Sequence, residues 1–282
     1  MTIKIVTDST CDLSDELIKK YKIEVVPLSI SVGGQTYLDG VDITKKEFVK
    51  LLTSSDELPK SSQPSAGSFE ATYRKLLAEP GTSHIISIHL TEGMSGTVNS
   101  AKAGADLVGD QITVINSKYI SHALGFQVIE AAEMALEGRS LEEIVDRLEE
   151  IRKHSSLYIM VDTLEYLAKG GRIGRGKAML GSLLRIKPIA SLADGVYTPV
   201  TKVRTHMQAI EYYKKQFIEE TKGLKVKAIG IAQVEADALA NKLKDALQQI
   251  NSIPVTITET SPVISTHTGP GAIALMYYTD ES

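Results

Sequence analysis

The chain has 282 residues, of which 43% are hydrophobic and 23% charged, with a formal net charge of -4. That is the balance of a globular protein of one large or two ordinary domains, and it supplies no basic field to attract nucleic acid. The single cysteine, Cys11, excludes an internal disulfide and reads as a small buried residue rather than a nucleophile. With four Phe, eleven Tyr and no Trp, the core must be built mostly from Leu, Ile, Val and Ala.

In chain order, Ile3 to Val6 is a β-rich run ending at Asp8-Ser9-Thr10, followed by a helix opened by Ser14. Glu24 to Val32 is a second apolar, β-branched run. Thr44-Lys45-Lys46-Glu47 has capping-box spacing and starts a helix to about Thr53. Asp56 to Gly67, rich in Ser and Pro, reads as a loop. Helical patterns over Phe69 to Ala78 and Val98 to Leu107 flank a strand at His84 to Leu90 and a turn at Thr91 to Thr97. Ile112 to Ile115 is a further strand, and Ser140-Leu141-Glu142-Glu143 opens a helix to about His154. This alternation predicts a parallel sheet with helices packed on it. After residue 155 the pattern loosens: a strand at Leu157 to Val161, a hairpin of Ile186 to Ser191 and Val196 to Val203 around Asp194-Gly195, and a helix from Thr205 to Glu219. Strands follow at Ala228 to Val234, Val255 to Thr260 and Ala272 to Tyr278. The expected fold class is therefore α/β in two domains: an N-terminal parallel sheet flanked by helices (residues 1–155) and a C-terminal mixed-sheet α/β domain (residues 156–282).

The first residues lack the apolar stretch of a signal peptide, and no run approaches the roughly 18 apolar residues of a membrane span. A cytoplasmic protein without stable membrane insertion is expected. The six histidines are scattered, and His84 and His89 fall on opposite faces of a strand, so no metal site is expected.

Four short hydroxyl-rich loops carry the chemistry: Asp8-Ser9-Thr10, Ser61-Ser62-Gln63-Pro64, Met94-Ser95-Gly96-Thr97 and Thr266-His267-Thr268-Gly269-Pro270-Gly271. The first and third follow predicted strands, where ligands of open α/β sheets bind, and hydroxyls and free N–H groups at helix starts favour anions. Singly, each is read as an ordinary cap. Ser95 admits an enzymatic reading: Gly93-Met94-Ser95-Gly96 approaches the nucleophile elbow of serine hydrolases, with Asp162 and His267 in triad order, so a hydrolase acting on a small ester through Ser95 and His267 is the alternative. Position 97 is Thr where that motif needs Gly. Gly171 to Lys177 fits the first part of a phosphate-binding loop, but Ala178 stands where Ser or Thr must ligate magnesium. It reads instead as a flexible basic loop exposed for a partner.

Together the segments IVTDST, SSQPS (61–65), MSGT (94–97), KGGRIG (169–174), LLRIKPI (183–189) and THTGPGA (266–272) resemble the DegV family of bacterial fatty-acid-binding proteins, in order and over nearly the whole chain. The resemblance implies two α/β domains with a long-chain fatty acid near their junction and no catalysis or cofactor. It also implies delivery of that acid to a separate fatty acid kinase, which phosphorylates the carboxylate for phospholipid synthesis. By position, the family's Thr-Ser-Gln-Pro falls on Ser61 to Pro64, with Ser61 replacing Thr; its Ser-Gly-Thr falls on Ser95 to Thr97, and its His on His267. Ser61, Ser95 and His267, with Ser62 as neighbour, are the expected fatty-acid-binding residues, neutral donors that satisfy a buried carboxylate without a salt bridge. Arg172, in the family's Gly-Gly-Arg, and Arg204 are the expected docking residues for the kinase. Asn116-Ser117 stands where the family has Asp-Ser. An aliphatic tunnel suits the tail: about 15 methylenes at about 0.8 kcal/mol each give roughly 12 kcal/mol before ordering costs.

Overall fold

The computed structural model describes residues 2–55, 57–180 and 186–281. Asp56, at the head of the Ser- and Pro-rich loop, and Leu183 to Arg185 of the segment at 183–189 lie outside the described residues. The first half runs β1 (Thr2–Asp8), α1 (Asp15–Tyr21), β2 (Glu24–Val26), β3 (Ser29–Val32), β4 (Gln35–Leu38), α2 (Lys45–Ser54), β5 (Lys60–Ser62), α3 (Ala66–Leu77), β6 (Thr82–His89), α4 (Thr97–Asp106) and β7 (Ile112–Asn116). Next come α5 (Ser121–Leu136) and α6 (Leu141–Lys153). The second half runs β8 (Ser155–Met160), α7 (Glu165–Lys169), β9 (Lys187–Ser191), β10 (Thr198–Val203), α8 (His206–Glu220), β11 (Lys225–Gln233), α9 (Asp237–Gln248), β12 (Val255–Glu259), α10 (Pro262–Thr268) and β13 (Ile273–Asp280).

The architecture is α/β, as expected. A parallel four-stranded sheet, ordered β2-β1-β6-β7, carries helices, and a separate six-stranded mixed sheet is ordered β10-β9-β8-β13-β11-β12. In the latter only β11 and β12 pair in parallel. The hairpin predicted at Asp194-Gly195 joins β9 to β10. Gly195, at φ +75°, holds a left-handed conformation, and a Cβ there would lie 2.2 Å from the Thr91 hydroxyl, so glycine meets both demands.

Three local expectations change. The run from Glu24 to Val32 is two strands in different sheets, broken at Pro27-Leu28, because β2 joins the parallel sheet while β3 pairs with β4 and β5. The segment read as a loop contains β5, whose backbone completes that small sheet. Gly171 to Lys177 is not a free loop: a 3-10 helix spans Gly174–Met179. The three-stranded sheet and α2 form a flap around Leu28, Ile30, Ile43, Phe48 and Leu52, packed on Val263 of α10 and on Tyr166.

α5 lies between the large sheets, against β1 and β6 on one side and β8, β11 and β13 on the other. Ala123, Leu124, Val128 and Ala131 are buried there, and one continuous core joins Ile86 and Ile88 to Ile159, Ala274 and Met276. Cys11 belongs to this core, and burial pushes its thiol up to about 12. Among the described residues no helix is long and apolar enough to cross a membrane, and no group of three His, Cys, Asp or Glu could hold a metal.

Candidate functional site

The two strand-end loops of the parallel sheet are held by one buried carboxylate. Asp8, at the end of β1, accepts from the Thr10 amide and hydroxyl (3.0 and 2.6 Å) and from the Leu90 amide at 2.9 Å. His89 Nδ1 lies 3.0 Å from its other oxygen, and the chain continues through Ser87 (2.7 Å) to the Tyr73 hydroxyl (2.8 Å). All five side chains are buried. This network places Thr10 and Leu90 side by side on a cavity wall.

The cavity spans about 650 Å³ of space between atoms, open solvent at its mouth included. Both large sheets, the flap and α10 line it. Leu90, Met94, Ile120, Ile159, Leu167, Leu192 and Ile264 make most of the wall apolar. Ile120, Ile159, Ile264 and Thr268 also line a second, mostly apolar space, continued by Leu157, Val234 and Met276. Ser61, Gln63, Ser95, Arg172 and His267 supply the polar end. That end abuts an open surface groove lined by Lys60, Tyr166 and Lys169, which shares Ser61, Arg172 and His267 with the cavity.

At the polar end, Ser61 Oγ lies 2.7 Å from His267 Nε2. His267 sits in the last turn of α10 rather than in the loop expected from sequence. Burial, and then the charge of Arg172, pull its pKa down to about 4, so the imidazole is neutral at pH 7. Its Nδ1 is buried without a hydrogen-bond partner among the described residues, and a Cβ on Gly170 would lie 2.2 Å from that atom. Ser95 Oγ lies 2.8 Å from the Thr97 hydroxyl and accepts the Thr97 amide at 3.3 Å. With the Thr97 hydroxyl as the donor in the first contact, the Ser95 proton is available to a ligand.

Two placements could not be read from sequence. Arg172, expected on an exposed docking surface, lines the cavity, its guanidinium turned inward by donating to the backbone oxygens of Met94 (3.0 Å) and Gly170 (2.6 Å). A cation therefore stands at an end expected to hold only neutral donors. Ser62 is exposed and absent from the cavity wall, since alternate residues of β5 face opposite sides. Arg204 is exposed before α8, its amide capped by Gln208 at 2.8 Å. The triad of the hydrolase alternative is not assembled. Asp162 pairs with Lys187 and His206, His267 bonds Ser61, and Ser95 bonds Thr97.

Fold and site together define an α/β protein with a largely apolar cavity, lined at one end by hydroxyls, an imidazole and a guanidinium. The chain belongs to the DegV family: the family profile described as "Uncharacterised protein, DegV family" matches residues 2–280. A DegV domain-containing protein of Listeria monocytogenes is 43% identical over 280 residues, covering 99% of both chains. Two solved structures share the fold. A DegV family protein from Thermus thermophilus, described for its fatty acid binding, has a TM-score of 0.94 at 32% identity, over 99% of this chain and 100% of its own. DegV of Bacillus subtilis, described as a fatty acid binding protein, has a TM-score of 0.90 at 33% identity with the same coverage.

Proposed function

We propose that this protein binds one long-chain fatty acid, with the tail in the apolar cavity and the carboxylate at the Ser61–His267–Ser95–Arg172 end. The observation that carries this is the division of one cavity into a long apolar wall and a single polar end. An acyl chain gains about 0.8 kcal/mol per buried methylene, and a buried carboxylate requires hydrogen bonds or a cation; both are supplied. Ser61, not Ser62, is the donor on the flap. The fatty acid reported for the Thermus and Bacillus relatives supports the same ligand class here. No observation favours hydrolysis, and the protein acts as a carrier rather than an enzyme.

The finer assignments belong to the same proposal. Residues 1–155 and 156–282 are the two domains, with the lipid at their junction. This rests on the sheet each segment forms and on the cavity lined from both. The carboxyl is presented to a fatty acid kinase in the cytoplasm through the groove at Lys60 and Lys169, with Arg204 as an exposed docking charge. What supports this is the resemblance to lipid carriers of that kind and the groove at the polar end.

Denaturing mass spectrometry of the purified protein tests the reading. One fatty acid per chain is expected; a protein that neither retains nor takes up fatty acid overturns it.

A further inference from the structure

Away from its polar end, the cavity is lined by three residues that carry a hydroxyl: Thr10, Thr268 and Tyr197. Thr10 donates to Asp8 at 2.6 Å, and Thr268 donates to the Ile264 carbonyl at 3.1 Å. Tyr197, just before β10, is 1% exposed, and its hydroxyl is buried without a partner among the described residues. The other buried tyrosines do not share this state. Tyr73 donates to Ser87 (2.8 Å), Tyr213 to the Ile273 carbonyl (2.9 Å), Tyr277 to Glu220 (2.8 Å) and Tyr278 to Glu130 (2.9 Å), and Tyr158 also bonds Glu220. A buried phenol ordinarily finds an acceptor, because an unpaired one has lost its hydration for nothing. Among the described residues, the buried tyrosine on the cavity wall is thus the one whose donor is unspent. Its seat is fixed by glycines of the 3-10 helix that follows Arg172. A Cβ on Gly176 would lie 3.0 Å from the Tyr197 ring, and one on Gly174, at φ +50°, would lie 2.7 Å from the Tyr197 carbonyl oxygen. That oxygen accepts the Arg175 amide at 3.0 Å. Burial raises the pKa of the phenol, which is therefore protonated, and a donor, at neutral pH.

We propose that Tyr197 is a second polar subsite, set in the tail region of the cavity, and that it receives a long-chain fatty acid carrying a hydroxyl on its chain, whose oxygen accepts from the phenol. This is a narrower class within the fatty acids proposed above, so the assignment rests on that reading. A plain hydrocarbon tail leaves the phenol as unpaired as before. A hydroxyl on the tail loses its own water on entering, and opposite Tyr197 each group supplies what the other lacks. Elsewhere along the tail the same hydroxyl meets apolar side chains, or the hydroxyls of Thr10 and Thr268 that already donate within the protein, and its desolvation weakens binding. The cavity therefore selects by position, favouring a hydroxyl at one point on the chain and penalising it at the others.

The test compares the parent with Tyr197→Phe, which keeps the ring and removes only the hydroxyl. Affinities are measured by calorimetry for stearic acid and for a series of monohydroxystearic acids in which the hydroxyl is moved along the chain. The preference for a hydroxy acid over stearic acid, taken as a ratio in each protein, isolates the contact. At one position, or two adjacent ones, that ratio is expected to be about fivefold higher in the parent than in the variant, and equal in both proteins at the rest. Ratios equal at every position overturn the subsite, and stearic acid binding then still upholds the fatty acid reading. A second measurement needs no ligand. Removing an unpaired buried donor should raise the melting temperature of the ligand-free variant above that of the parent; a variant no more stable than the parent has lost a hydroxyl that was already satisfied, which also overturns the subsite. If neither protein binds any of the acids, the fatty acid reading fails and the subsite falls with it.

Discussion

A methyl group at Gly170 would collide with His267 Nδ1 while its backbone, at φ −76°, accepts alanine. The added Cβ would also meet the Tyr166 backbone oxygen at 2.9 Å, so Gly170→Ala is expected to displace the imidazole, cut fatty acid occupancy severalfold and lower the melting temperature as well. Native mass spectrometry beside a thermal melt checks both. Ser95→Ala and Ser61→Ala each remove a donor to a charged group, about 1.5–3 kcal/mol or roughly ten- to a hundredfold in affinity. Ser62→Ala, on the exposed side of β5, should bind like the parent in the same titration. Ser61, Ser95 and His267 were legible because each sits in a hydroxyl-rich segment beside a turn. Arg172 was not, because its basic neighbours suggest solvent, and only the backbone oxygens of Met94 and Gly170, 78 and 2 residues away, turn it inward.

Among the elements, those with one wet face announced themselves. α6, opened by the capping box of Ser140 and Glu143, buries only Ile144, Leu148 and Ile151 among its charges. α5 carries no such signal: it starts at Ile120 without a side-chain cap and is buried by a sheet on each side, so its apolar residues run nearly all round. Two strands of the flap, β4 and β5, were illegible for the opposite reason, since Gln35–Leu38 and Lys60–Ser62 are short and largely exposed. Because α5 touches both sheets, Leu124→Ala should cost about 2–5 kcal/mol and lower both halves together in one calorimetric transition; two separated transitions would contradict the shared core. α6 is tied to its neighbours by Arg147, bonded to Glu130 of α5 at 2.9 Å and Asp280 at 2.7 Å. Burial raises the Asp280 pKa, but the Arg147 bonds and charge outweigh it and hold the carboxyl below its usual value. That contribution is present above the ordinary aspartate pKa and lost as pH falls through the lowered one. Arg147→Met should accordingly lose more stability at pH 7 than at pH 3 in urea titrations.

For the molecule as a whole, a ligand that bridges both sheets must stabilise both. Long-chain fatty acid at about a hundredfold above its dissociation constant adds about 2.7 kcal/mol, visible as an upward shift of the melt, and a shift confined to one of two phases would place the ligand elsewhere. The position of Cys11 makes such opening countable by chemistry. A thiol raised to about 12 holds about three thousandfold less thiolate at neutral pH than one at the usual value of about 8.5. The folded chain should therefore be inert to iodoacetamide, and each alkylated molecule marks one excursion in which the core around α5 came apart. Labelling rate against denaturant then times the opening of the core, with no engineered probe.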